Sequence, residues 1–509
     1  VVTLMAVGVL LRLGGITRFP FEQDELYTVA ESTRLFQTTL QPGIDARPLY
    51  YLVQHALLPV LPATEAGMRA LPLLFGVLGL WATWVAGSRL LGRTAGIVAL
   101  ALAVVSPWHL YASGMARYWS LVYLLAVLAL YFVARGLQDD RPRDLAAAAC
   151  FLALGTATHP TFVFPLCGAA LGAWLVRPGG RPGWSWPTRR AWTWLWGPYA
   201  LFLAAAFAAL QLAGRESAVQ NWNGRGWAAT LRLLPAVVDW ATPTLVAAAG
   251  LGAVALAWAG GSEARRRWGA MALGGWASGV ALLWAASLRT DVYADYAMAL
   301  LPILLLSAGG LVQLGVERLS RGAGAATAAA VLVMWAGMAS ATASHLASGT
   351  RFDYRPAFRH AAAAAPQLPV YAWPLVVLRH YTPDARAHEL HLDRPRLDAA
   401  LRRHGELWLV ASIRRHGLVG DDAGAGAAWI REHCTLARAH DAPRWDYRVY
   451  RVELHRCGGA RVGAPQQVAR PDHTPPGAPR AAGDGGAGTY GHAGRGPAVA
   501  PGSGHEQPT

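Results

Sequence analysis

The chain has 509 residues, 54% of them hydrophobic and only 15% charged, a balance that excludes a string of ordinary soluble domains. All 45 basic residues are Arg, against 30 acidic ones, for a formal charge of +15. Many of these arginines fall in short loops between apolar runs, where basic residues set membrane topology. The charge therefore does not argue for nucleic-acid binding.

Apolar runs near 1–18, 69–88, 94–112, 118–136, 144–159, 161–176, 191–212, 240–260, 268–288, 296–314 and 324–346 predict about eleven transmembrane helices, since some 20 apolar residues cross a bilayer core. The first run holds Arg12 and has no small-residue cleavage site after it, so it reads as a span rather than a cleaved leader. After it comes a polar loop, Phe19-Pro20-Phe21-Glu22-Gln23-Asp24-Glu25. Adjacent carboxylates this close to a bilayer are costly unless they face water or a pocket. Leu49–Leu61 contains Pro59 and is too short to span. It is expected to lie at the interface with Tyr50 and Tyr51 at headgroup level.

Clusters at Arg89 and Arg93, Arg135 to Arg143, Arg177 to Arg190, Arg265 to Arg267, and Arg318 and Arg321 occupy alternate loops. The positive-inside rule makes those loops cytoplasmic. The Asp24 loop, the Ser106–Arg117 loop, His159 and everything after residue 346 then lie outside. The Trp-rich Trp184–Trp196 run reads as a cytoplasmic interfacial belt. Cys150 and Cys167 lie in apolar segments and read as packing residues. Cys434 and Cys457 could pair if their region is extracytoplasmic.

Past residue 346 the pattern becomes soluble α/β: helix-like Pro356–Ala365 and Ala427–His433, strand-like Val370–Trp373, Leu407–Ala411 and Tyr447–Leu454. The expected organisation is a membrane domain over 1–346, an extracytoplasmic α/β domain over 347–457 and a disordered Gly/Pro/Ala-rich tail over 458–509.

On the outer side the topology collects Asp24 and Glu25, Asp45 and Arg47, His109, Arg117 with Tyr118, and His159. Cations can hold a lipid phosphate while a carboxylate takes a proton from an incoming hydroxyl. Adjacent helical residues diverge by about 100°, so the two carboxylates cannot serve one atom. A transporter or flippase of a lipid-linked substrate is the alternative. It should show internal repeats and broken helices with midplane polar groups, and no repeat is evident.

The motifs in order resemble the GT-C superfamily of lipid-linked-sugar glycosyltransferases, closest to its family-39-like and aminoarabinose-transferase-like members. They are Asp24-Glu25, Arg47-Pro48-Leu49-Tyr50-Tyr51, Arg69-Ala70-Leu71-Pro72, Ser106-Pro107, Arg117-Tyr118-Trp119-Ser120-Leu121 and Thr158-His159. Asp295-Tyr296 stands where the family has Arg-Tyr. The resemblance implies a polytopic helical bundle and transfer of a sugar, with inversion, from a polyprenyl-phosphate donor to a cell-envelope glycan, lipid or protein on the outer face of the inner or plasma membrane. It points to Asp24 as general base. Glu25 would orient it or help hold a divalent ion, with Asp45 the other metal candidate. Arg47, Arg117, Tyr118 and His159 would bind the lipid phosphate.

Overall fold

The computed structural model describes residues 1–35, 48–176, 186–212, 226–288, 292–319, 322–372, 375–382, 387–389, 393–414, 417–418, 424–442 and 450–458. Asp45, Arg47, Trp184 and the 459–509 tail lie outside them, as do the expectations attached to those positions. Among the described residues the chain begins with α1 (Val2–Leu13), α2 (Gln23–Arg34), α3 (Pro48–Leu57) and α4 (Glu65–Leu90). It continues through α5 (Arg93–Val105), α6 (Pro107–Gly114), α7 (Trp119–Asp139), α8 (Pro142–Thr158) and α9 (Val163–Trp174). Next come α10 (Arg189–Ala191), a π-helical turn over Trp192–Trp196, α11 (Gly197–Leu212), α12 (Gly226–Ala241), α13 (Pro243–Ala259) and α14 (Glu263–Ser287). A 3₁₀ stretch over Ala294–Leu300 leads into α15 (Leu301–Arg318), and α16 (Ala323–Ser348) closes the helical bundle.

Among the described residues, five helical stretches are long and apolar enough to cross a membrane: α4, α7, α14, Ala294–Arg318 and α16. The number rises to seven if α5–α6, bent by 62°, and α12–α13, bent by 92°, each count as one span. The remaining expected segments are helical but short, with 12 residues in α1, 17 in α8 and 16 in α11. The eleven apolar runs are thus helices, whereas length and composition support five to seven spans. Hydropathy reads straight through a bend, and both bends lie at prolines, Pro107 and Pro243, which cannot supply the backbone donor that would continue the preceding helix. The bundle packs closely where side chains are smallest. A Cβ on Gly168 of α9 would collide with the Gly274 carbonyl of α14, so glycine there sets the approach of the two helices.

The remaining residues form α17 (Arg355–Ala364), β1 (Val370–Ala372), α18 (Leu375–Tyr381), β2 (Ala387–Glu389), α19 (Arg394–His404), β3 (Glu406–Arg414), β4 (Gly417–Leu418), α20 (Ala425–His433), β5 (Cys434–Ala442) and β6 (Tyr450–Gly458). The sheet runs β2-β1-β3-β6-β5, with β4 paired to β3. Strands β2, β1 and β3 are mutually parallel, whereas β3–β6 and β5–β6 are antiparallel. Cys434 and Cys457 face each other across β5 and β6 and are disulfide-bonded.

This sheet does not stand apart from the bundle. Phe21 and Leu26 of the α2 region, Met68 of α4 and Ala116 share one buried core with Phe352, Tyr354, Phe358, Val377, Leu378 and Trp408. Tyr381 Oη donates to the Phe21 carbonyl (3.2 Å), and Phe21 packs edge-on to His380. The α/β layer therefore clamps the loop that carries the two carboxylates.

Two expectations about single residues are corrected. Tyr50 and Tyr51 are fully buried, because α3 packs its aromatic face against Tyr118 rather than resting among headgroups. Cys150 and Cys167 are exposed on their helices, so an apolar neighbourhood in sequence marked a lipid-facing flank and not a core. Trp186, Trp192 and Trp194 are exposed, as residues of an interfacial belt should be.

Candidate active site

Helix α2 begins with a reciprocal cap. The Glu22 carboxylate accepts from the Asp24 backbone N–H (2.8 Å), and the Glu25 carboxylate accepts from the Glu22 N–H (3.0 Å). The cap satisfies two of the N–H groups that a helix start leaves orphaned. It also sends the two adjacent carboxylates into opposite surroundings.

Glu25 turns inward and is fully buried. Arg69 Nε and Nη2 donate to its two oxygens at 2.7 and 2.8 Å, Arg351 Nη1 donates at 2.8 Å, and the Ala116 N–H adds a fourth external bond at 2.8 Å. Burial alone would raise its pKa, but the two guanidiniums and the hydrogen bonds outweigh it and hold the carboxyl at about 2. Arg69 also donates to the carbonyls of Ile16, Phe19 and Pro20, and Arg351 to those of Gly349 and Gly114. One carboxylate therefore ties the loop after α1, the start of α4, the end of α6 and the turn after α16 into a single knot. A metal ion at Glu25 would have to displace a guanidinium, and among the described residues no three His, Cys, Asp or Glu side chains converge as a ligand set.

Asp24 turns outward. Its side chain keeps 43% exposure, and Oδ2 lies 4.0 Å from Nη2 of Arg117, which is almost wholly buried. Arg117 Nη1 donates to the Asp24 carbonyl (3.3 Å), Thr28 Oγ1 (3.4 Å) and Tyr51 Oη (3.2 Å), and the guanidinium lies over the Tyr118 ring. Such bonds and the cation–π contact fix a guanidinium that a free side chain would leave mobile.

An aromatic wall continues from Arg117. Tyr118 stacks on His159 with centroids 5.2 Å apart. Trp119 and Tyr296 pack against the same imidazole at 5.0 and 4.9 Å. His159 caps the turn after α8, where Nδ1 lies 2.8 Å from Thr161 Oγ1, which in turn donates to the Tyr296 carbonyl. The structure thus gathers Asp24, Arg117, Tyr118 and His159, four residues expected from sequence, and adds Tyr51 and Tyr296. His109 is not with them. It is buried beside Arg12, whose Nη2 lies 2.7 Å from its Nδ1.

Arg69 was legible only as part of a motif, and nothing local marked Arg351 or Glu22. Arg351 lies 326 residues from its carboxylate, so only the folded chain shows the pairing.

Residues 44–210 match the family described as dolichyl-phosphate-mannose-protein mannosyltransferase. None of the curated proteins matches the chain. Among solved structures the chain is similar to ArnT from Cupriavidus metallidurans in the apo state, with a TM-score of 0.53 at 16% identity over 89% of this chain and 97% of that one. The same enzyme bound to undecaprenyl phosphate gives 0.52 at 15% identity over the same shares. At such identities the likeness is one of fold.

Proposed function

We propose that the chain is a membrane glycosyltransferase of the GT-C class that uses a lipid-phosphate sugar, and that its reaction is an inverting transfer at the Asp24–Arg117 site on the outer face of the membrane; the family match over residues 44–210 and the ArnT-like fold support this reading. The supporting observation is the division of labour at α2. Asp24 is the carboxylate with an open side, and it stands beside a buried, fixed guanidinium, while Glu25 is consumed in holding the loop.

In this reaction Asp24 accepts the proton of the acceptor hydroxyl as its oxygen attacks the anomeric carbon. The bond from that carbon to the phosphate oxygen breaks, and the polyprenyl phosphate departs carrying one more negative charge. Arg117 faces that developing charge, where a fixed cation in a partly dehydrated site is most effective. Tyr118 and Trp119 are buried and brace His159, and the partly exposed Tyr296 is the ring against which a sugar or an isoprenoid can lie. Undecaprenyl phosphate bound to the similar ArnT structure supports the same ligand class here. The acceptor is a hydroxyl-bearing molecule of the cell envelope.

The outer placement follows from the alternating arginine loops. It is supported by the Cys434–Cys457 disulfide, because such bonds persist in oxidising compartments. Transport of a lipid-linked substrate keeps one observation on its side, the two bent helix pairs. Proteoliposomes holding the full chain and a radiolabelled polyprenyl-phosphate sugar distinguish the two. Transfer of label to a water-soluble or lipid acceptor, with release of polyprenyl phosphate, is the expected result. Movement of intact donor between leaflets without sugar release would replace this reading with transport. Sidedness is read by an impermeant thiol reagent on cysteines introduced singly at the exposed Thr33, Arg394 and Leu319, with Cys150 and Cys167 replaced by alanine. Thr33→Cys and Arg394→Cys should label from outside and Leu319→Cys should not.

A further inference from the structure

A cavity of about 240 Å³, lined by neither Asp24 nor Arg117, opens between α1, α6, α16 and the turn that follows α16. Three arginines line it, Arg12, Arg18 and Arg351, together with His345. Leucines and Phe19 supply an apolar wall, and Leu10 at its mouth is 66% exposed on the flank of α1.

Its electrostatics are unbalanced. Arg12 is buried, and its hydrogen-bond partners are the carbonyls of Gly8, Ala103 and Val104, Ser113 Oγ and His109 Nδ1. None of these is an anion, so its charge is solvated but not neutralised. A buried ion without a counter-charge is costly. Arg351 shares the Glu25 carboxylate with Arg69, so it is paired where Arg12 is not. Arg18 is exposed and donates to the Leu346 carbonyl. His345 turns Nδ1 towards Thr350 Oγ1 (2.9 Å), leaving Nε2 as its other polar atom. The Arg351 end of the cavity is held by an unusual backbone. Gly349 and Thr350 both have positive φ, +67° and +57°, a conformation that a β-branched residue rarely adopts.

We infer that this cavity binds the anionic head group of a membrane lipid, at a site separate from the Asp24–Arg117 centre. Its volume is below the roughly 300–1,000 Å³ of pockets that enclose a whole small ligand. It suits a phosphate head, with Arg18 and Arg351 donating to the oxygens and Arg12 supplying charge from behind. The acyl chains leave past Leu10 along the apolar flank of α1. This site does not rest on the proposed reaction.

Native mass spectrometry of the full chain released from detergent tests it, with phosphatidylglycerol and phosphatidylcholine offered in equal amounts. Wild type should retain one phosphatidylglycerol with about tenfold preference. Arg12→Gln with Arg18→Gln should bring that preference to near unity. Because Arg12 is buried, a second variant keeps it: Arg18→Gln with Gly114→Leu, which puts a side chain into space where a Cβ on Gly114 meets nothing within 4 Å. Arg117→Ala should leave the preference intact. Equal retention of the two lipids by wild type would overturn the site, as would unchanged preference in folded cavity variants. Loss of the preference in Arg117→Ala would put the lipid at the Asp24 centre instead. Displacement of the lipid by millimolar inorganic phosphate would make it a free-anion site.

Discussion

Asp24 and Glu25 are neighbours in the chain and opposites in the fold. On the Asp24 side of α2 a half-exposed carboxylate meets one arginine at 4.0 Å. On the Glu25 side a fully buried carboxylate meets two arginines at 2.7 and 2.8 Å with every approach occupied. A group that must exchange protons with a substrate needs access and a loose hold. A group that must fix a loop needs neither. In the proposed reaction the same pair of residue types serves both ends, because the helix turns them apart and the cap locks the turn.

The sharpest way to break this contrast is to neutralise each carboxylate in turn. Asp24→Asn preserves shape and removes the proton acceptor, so transfer should fall by about 10²–10⁴-fold while thermal unfolding in detergent stays at the wild-type temperature. Retained activity with the correct donor would remove Asp24 from the chemistry.

Glu25→Gln should do the reverse. It leaves Arg69 and Arg351 buried without their anion, a loss of about 3–5 kcal/mol, read as a lower unfolding temperature and poor yield of folded protein. If the variant is as stable as wild type, the knot does not hold the loop. The pH dependence sharpens the same point. The Glu25 pKa is depressed to about 2 in the folded chain, below its ordinary value. Its stabilisation is therefore present in full above the ordinary carboxylate range and is lost progressively as the pH falls from there through about 2. Acidification from pH 7 to pH 5 should leave its contribution in place, and cooperative loosening of the α2 loop already at pH 5 would contradict it.

Arg117 tests the open side from its other partner. Arg117→Ala should cost about 10²–10³-fold in turnover, the scale for losing one fixed donor to a developing anion. Arg117→Lys should recover only part, since an ammonium cannot reproduce the donor set to Asp24, Thr28 and Tyr51. Wild-type turnover in the alanine variant would make Arg117 a packing residue.

The smallest effect concerns the layer that clamps the loop from outside. Reducing the Cys434–Cys457 bond, which closes a short loop between adjacent strands, should destabilise the sheet by about 3 kcal/mol. Because Phe21 and Leu26 share the core of that layer, hydrogen exchange should rise in α2 as well as in β5 and β6. Exchange that rises only in the strands would show that the sheet and the active-site loop are not mechanically joined.

Much of this protein could be read before any coordinates. The eleven apolar runs are helices because hydrophobic length is a local property, and four of the six proposed catalytic and phosphate-binding residues are described in or beside one site because their motifs end spans on one side. Five of the C-terminal elements were visible from periodicity, whereas β5, with the sequence Cys-Thr-Leu-Ala-Arg-Ala-His-Asp-Ala, carries few β-branched or aromatic residues and is a strand because β6 pairs with it.

What the sequence determined by itself is therefore the class of molecule: a helical membrane bundle with arginine-marked loops, an acidic pair just after the first segment, and a small α/β layer at the end. Apolar length, proline and charge act over a few residues and leave their mark where they act. Only the tertiary structure decided which carboxylate is buried, that Arg351 comes back across 326 positions to hold it, and that Arg12 lies in the protein with no anion beside it. Those outcomes depend on desolvation and on charge pairing through space, and neither quantity exists until the chain has folded.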